Sequence, residues 1–214
     1  MTDADLAANL SNVATPAIAL VSVFYVYLEY RRTKRARSSD LAAALISQLE
    51  SDDELSFACR SLDWAVGPLI VPARYRSLLR AAGVHNDEVV MHSPPVMCVA
   101  LAPRLRAELI EADPRTEMPK DPRGLIYRYC FDKLFMHLDD IYRLVRSQQI
   151  SVGDVVGLKY WLERIAKYEY SPEGVDPAEV FQPFVAACGY LGVPRLGVLV
   201  GVKEWRVYRT DLDS

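Results

Sequence analysis

Residues 121–147, DPRGLIYRYCFDKLFMHLDDIYRLVRS, decide the fold. Leu134, Leu138, Ile141 and Val145 recur at spacings of four, three and four, the period of one face of an α-helix. Phe131, Phe135 and Tyr142 widen that apolar stripe, while Asp132, Asp139, Arg143 and Ser147 fall on the side predicted to face solvent. Asp139 and Arg143 have the acid-before-base spacing of a surface pair, worth a few tenths of a kcal/mol. Asp121 is placed to cap this helix, with Pro122 at the first helical position, where a missing N–H leaves no bond unmade.

Two segments downstream follow the same grammar. Ser151 and Asp154 have the spacing of a capping box ahead of Val155, Leu158, Leu162 and Ile165, with Trp161 and Tyr168 beside them. Asp176-Pro177-Ala178-Glu179 then precedes Val180, Phe184 and Ala187. Three capped amphipathic helices in succession predict a bundle, since each can bury its stripe only against the others. Gly189-Tyr190-Leu191-Gly192 reads as a helix end. Residues 196–202 are uncharged and rich in valine and glycine, so propensity favours a strand and context a helix. The expected class is all-α, with residues 196–208 unassigned.

Upstream, residues 113–123 hold three prolines and mixed charges and are expected to form a mobile loop. Residues 96–112 can be helical with Pro103 as kink or boundary, and His92-Ser93-Pro94-Pro95 breaks the chain before them. Residues 74–82 form a short amphipathic piece ending at Gly83. Gly67-Pro68 and Val71-Pro72 interrupt the chain after a helix expected around residues 53–64. Leu41, Leu45, Ile46 and Leu49 make a further helical stripe behind Ser38-Ser39-Asp40, which either caps it or lies within a longer helix.

The N-terminal region is of another kind. Overall the chain is 51% hydrophobic and 25% charged, with a net charge of −3, which excludes a disordered tail, a fibre and a disulfide-rich scaffold. That average conceals a step. Asp5 and Glu29 bracket an uncharged stretch whose apolar part, residues 13–28, reads VATPAIALVSVFYVYL, and Arg31, Arg32, Lys34, Arg35 and Arg37 follow at once. As a helix the uncharged stretch is about 34 Å long, enough for a hydrocarbon core of about 30 Å, whereas the apolar part alone reaches about 24 Å.

Three readings compete for it. A cleaved signal peptide would carry its basic residues before the apolar run, and here acidic ones precede it. A buried or interfacial helix is favoured by Asn9, Asn12 and Pro16. A single transmembrane helix is the leading expectation, because Tyr25, Tyr27 and Tyr30 gather at its C-terminal end and the basic cluster follows, placing that end in the cytoplasm. Residues 1–37 are then an inner-membrane anchor with the N-terminus outside, and residues 38–214 a mildly acidic cytoplasmic helical domain. The cluster reads as a topology signal first and a contact for anionic membrane lipid second. Nucleic acid is not an expected partner, since seven residues make a small footprint and the remaining chain is acidic.

No motif calls for a metal, a cofactor or a nucleophile. Cys59, Cys98, Cys130 and Cys188 are widely spaced among apolar neighbours, as buried thiols in a reducing compartment would be. Nucleophile elbows, phosphate loops, Rossmann glycines and paired-histidine helices are all missing. His137 and Asp140 share a helical face with Lys133, more simply as the border of the apolar stripe than as metal ligands. Trp64, Arg74 and Arg76 collect aromatic and guanidinium groups near a break, and with His137 and Asp140 they make the candidate pocket for an anionic ligand or an extended peptide. The plainer account of Trp64 is a turn that buries its ring.

One N-terminal span, an Arg-rich junction, a short helix with Asp63-Trp64, and long helices such as Phe131-Asp132-Lys133-Leu134-Phe135 together resemble uncharacterised bacterial single-span membrane proteins with a cytoplasmic helical domain. The resemblance implies that topology and carries no catalytic residue. The expected function is a non-enzymatic accessory, anchor or regulatory subunit whose cytoplasmic domain binds another protein. A membrane-tethered enzyme or small-ligand sensor with a pocket near Trp64, Arg74 and His137 is the alternative, and a soluble oligomer that packs residues 6–28 is the third.

Overall fold

The computed structural model describes residues 3–63, 68–86, 88–91, 93–101, 121–167 and 178–205; of residues 3–19, 178 and 179 and of Met91, Pro94 and Val99 it describes the backbone alone. Eight helices are present among them: α1 (Asp3–Ser51), α2 (Asp53–Asp63), α3 (Arg76–Ala81), α4 (Pro94–Leu101), α5 (Pro122–Arg146), α6 (Lys159–Ala166), α7 (Ala178–Ala187) and α8 (Gly192–Leu199). The all-α class therefore holds. Trp64, His92, the proline-rich residues 113–120 and residues 206–208 lie outside the described residues.

The chain divides into two compact units, residues 1–41 and 42–214, and the division falls inside α1. Ser38-Ser39-Asp40 thus lies within the longer helix. In the first unit, every described side chain from Leu20 to Tyr30 is exposed, with Leu20 at 71% and Phe24 at 61%. Among the described residues no helix is long and apolar enough to cross a membrane. The side chains of residues 13–19, part of the apolar run, are outside that set.

The second unit is organised around α5, which packs against α2, α4 and α8. Leu134, Leu138 and Ile141 of the 4-3-4 repeat are wholly buried along it, as are Phe131 and Phe135 of the widened stripe and, outside the predicted stripe, Ile126. Phe135 is the centre of the aromatic core: its ring lies 5.9 Å from Phe131, 6.3 Å from Phe181, 5.7 Å from Phe184 and 6.1 Å from Tyr190. Each such side chain contributes about 1.5–3 kcal/mol through burial, before packing geometry is counted. The helix opens as expected, with Asp121 accepting from the Arg123 N–H at 2.9 Å and Pro122 following. Residues 42–51 of α1 add Ala42 and Leu49 to the same core.

Three local expectations are corrected and one open alternative is resolved. The Ser151–Asp154 capping box is present, but it opens a 3-10 segment, Val152–Leu158, and α6 begins only at Lys159. The residues after Gly192 form a helix through Leu199, because Val193 and Leu196 are buried at helical spacing; the chain turns at Gly201, whose φ of +87° is left-handed. The break around residues 67–72 holds a strand, β1 (Pro68–Ile70), paired antiparallel with β2 (Val89–Met91), with Leu69 opposite Val90. Two three-residue runs flanked by prolines and loops are too short for an alternating pattern to announce them.

Asp139 supplies the third correction. It is buried, and its Oδ1 accepts the Gly192 N–H at 2.6 Å, so that a carboxylate on α5 holds the N-terminus of α8. Arg143 Nη2 remains 2.7 Å from its other oxygen, as the spacing predicts. A Cβ on Gly192 would lie 2.4 Å from Asp139 Oδ1, which is why this position excludes a side chain.

Candidate functional site

The most elaborate polar arrangement of the second unit lies where α1 ends and α2 begins. Asp52, between them, caps α2: its Oδ1 accepts from the N–H groups of Glu54 at 3.0 Å and Leu55 at 3.1 Å. Its Oδ2 accepts from Lys133 Nζ of α5 at 2.6 Å. The same ammonium stands 2.9 Å from Oε2 of Glu54, a residue only 3% exposed, and Arg74 Nε pairs with the opposite oxygen. Both of these contacts are ion pairs to a buried carboxylate, one cation on each oxygen.

Arg74 comes from the 3-10 turn Ala73–Tyr75, lies 4.6 Å over the Tyr75 ring and donates to its hydroxyl. Tyr75 in turn stacks on Tyr129, 5.7 Å away and nearly parallel. Burial pushes the Tyr75 phenol and, beneath the cluster, the Cys130 thiol upward, the latter reinforced by the Glu54 charge. For Asp52 burial acts in the same upward direction, but the Lys133 ammonium and the two backbone N–H groups outweigh it and hold the carboxyl below its usual range. Lys133 is raised in return, its two carboxylates outweighing desolvation.

Beside this cluster opens a cavity of about 450 Å³ whose walls include Gln48, Ser51, Asp52, Lys133, His137 and Asp140. His137 Nε2 lies 2.9 Å from the Leu45 carbonyl, which can only accept, so this nitrogen carries the hydrogen. Asp140 is exposed and 3.8 Å from Arg143 Nη1.

The candidate pocket residues are therefore divided. His137 and Asp140 share one cavity; Arg76 lines a second, of about 180 Å³, beside β1, where it pairs with Glu88 at 3.5 Å. Arg74 is turned toward Glu54, and Trp64 is outside the described residues. Glu54 and Asp52 escaped the sequence reading. The available signal was Glu54 standing four residues before Ala58 and eight before Leu62, a carboxylate on the apolar face of its helix.

Among the described residues no group of three or more histidine, cysteine or acidic side chains is arranged to hold a metal ion. All four cysteines are buried, and burial pushes Cys59 up to about 12, which leaves it unreactive near neutrality. In the first unit, the junction residues Arg31, Arg32, Lys34, Arg35 and Arg37 are all exposed, with the Arg31 guanidinium 5.8 Å from the Tyr27 ring. No protein-family model, curated protein or solved structure matches the chain.

Proposed function

We propose that α1 anchors the chain in a membrane, with the N-terminus outside and the helical domain in the cytoplasm, and that this domain binds a partner protein as an accessory or regulatory subunit. The observation that carries the anchor is the exposure of Leu20, Val21, Val23, Phe24, Val26 and Leu28 together. At about 100° per residue these six, together with the exposed Tyr25 and Tyr27, surround the helix except for an arc of about 100° at Ser22, so no broad polar face is left to lie along an interface. A helix apolar all round belongs in a protein core or in lipid.

Partner binding draws support from α8, whose Val198 and Leu199 are about half exposed at its C-terminal end, with Leu191 exposed just before its start. A second reading, a small-ligand sensor, is favoured by the cavity beside His137 and Asp140, whose volume lies in the range of ligand sites.

Thiol labelling of intact cells tests the topology, since the native cysteines are buried. Thr2→Cys should react with an impermeant maleimide from outside and Ser214→Cys only after lysis; the reverse order, or equal labelling, sinks the proposed orientation. Val198→Asp with Leu199→Asp should release a stoichiometric partner while leaving the domain folded. Retention of that partner would move the interface elsewhere.

A further inference from the structure

We infer that the collar Arg31, Arg32, Lys34, Arg35 and Arg37 is a binding site for the phosphate groups of anionic phospholipids; the inference rests on the membrane anchoring proposed above. A topology signal needs only positive charge, in any arrangement. The collar has more than that. Four of its five cations are arginine, whose planar fork matches two phosphate oxygens at once, where lysine offers a point charge.

All five are exposed, and among the described residues none is ion-paired with a carboxylate. Their charge is thus not consumed within the chain. At about 100° per residue, Arg31, Arg35 and Arg32 cover one side of the helix, and Lys34 and Arg37 extend the charge around it, leaving one open arc. A helix lying flat would concentrate its cations on one narrower face; a spread over about 220° of the circumference suits a helix that emerges through a layer of headgroups. The guanidinium of Arg31 lies over Tyr27, one turn back, at the depth where amphipathic rings meet headgroups. Zwitterionic lipids carry their own cation beside each phosphate, so the collar selects phosphates that lack one. The adjoining apolar run sets the source of those phosphates as a bilayer rather than a nucleic acid or a free ion.

The test uses the full chain in nanodiscs of equal phosphatidylcholine and phosphatidylglycerol, with retained lipids read by native mass spectrometry. Retained lipid should be enriched at least about fivefold in phosphatidylglycerol, and 0.5 M salt during reconstitution should reduce the enrichment, because these charges are exposed to screening. Replacing Arg31, Arg32, Arg35 and Arg37 by glutamine should bring the ratio near one. Because that variant could also change topology, the four-fold Arg→Lys variant keeps the charge and should show an intermediate ratio. No enrichment in the native chain, or enrichment unchanged in the glutamine variant, overturns the lipid site while leaving the anchor standing. A chain recovered outside the discs overturns the anchor, and the site with it.

Discussion

Residues 20–30 of α1 and residues 122–146 of α5 draw on the same side chains, leucine, valine, phenylalanine and tyrosine, and end in opposite environments. Along α5 the apolar residues that return every three or four positions are buried, and Met136, off that stripe, is exposed; along α1 they occupy every position but one from Leu20 to Leu28 and are exposed. The difference teaches that apolar content sets how much surface must leave water, whereas its periodicity sets what can cover it. A one-sided stripe is covered by a neighbouring helix. A helix apolar on all sides would need several neighbours at once, or a solvent that is itself apolar.

The sharpest way to break this contrast is truncation on each side of it. Phe135→Ala should lower the unfolding free energy of the helical domain by about 4 kcal/mol, as a fully buried aromatic does, while Phe24→Ala should change it by less than about 0.5 kcal/mol. Denaturant titration of the two variants checks both, and equal effects would mean that Phe24 belongs to a core. Next in size is Gly192→Ala, expected to cost about 2 kcal/mol because the new methyl must displace the Asp139 carboxylate from the α8 N-terminus. Thermal melts would show it, and in an Asp139→Ala background, where no carboxylate stands in the way, the added cost of Gly192→Ala should shrink.

Lys133→Met should cost about 2 kcal/mol, less than breaking a fully buried pair, because Arg74 stays on Glu54 and the ammonium is partly exposed. Alkaline pH tests the buried groups without mutation. Cys59 is raised from 9.0 to about 12 and Tyr127 from 10.0 to about 12, chiefly by burial, so the folded chain keeps protons that the unfolded chain gives up. Their contribution is complete below pH 9 and is lost as the pH rises toward 12. Melting temperatures across that range should fall, and less steeply in Cys59→Ala. The smallest effect, about 1 kcal/mol, is expected for Asp121→Ala at the start of α5.

How much of this was legible follows from the range of each interaction. The start of α5, the capping box at Ser151 and the turn at Gly83 are set by residues within a few positions of each other, and they stand where the sequence places them. The seating of Asp139 on Gly192 joins residues 53 apart, and Lys133 meets Asp52 across 81. No local pattern reports such pairs, and the same Asp139–Arg143 spacing that suggested a solvent-facing side is kept in a buried one. The paired strands were illegible for another reason: each is three residues long, and their stability comes from the helices around them rather than from their own pattern. The cavity beside His137 was half legible, since α5 alone sets His137 and Asp140 on one face while Gln48, Ser51 and Asp52 arrive by tertiary packing.

The most direct measurement is alkaline carbonate extraction of membranes from cells expressing the full chain, followed by quantification of the protein in pellet and supernatant. An all-round apolar helix inserted in lipid keeps the chain in the pellet at high pH. Recovery in the supernatant would contradict membrane insertion and leave residues 20–30 to be covered by protein instead.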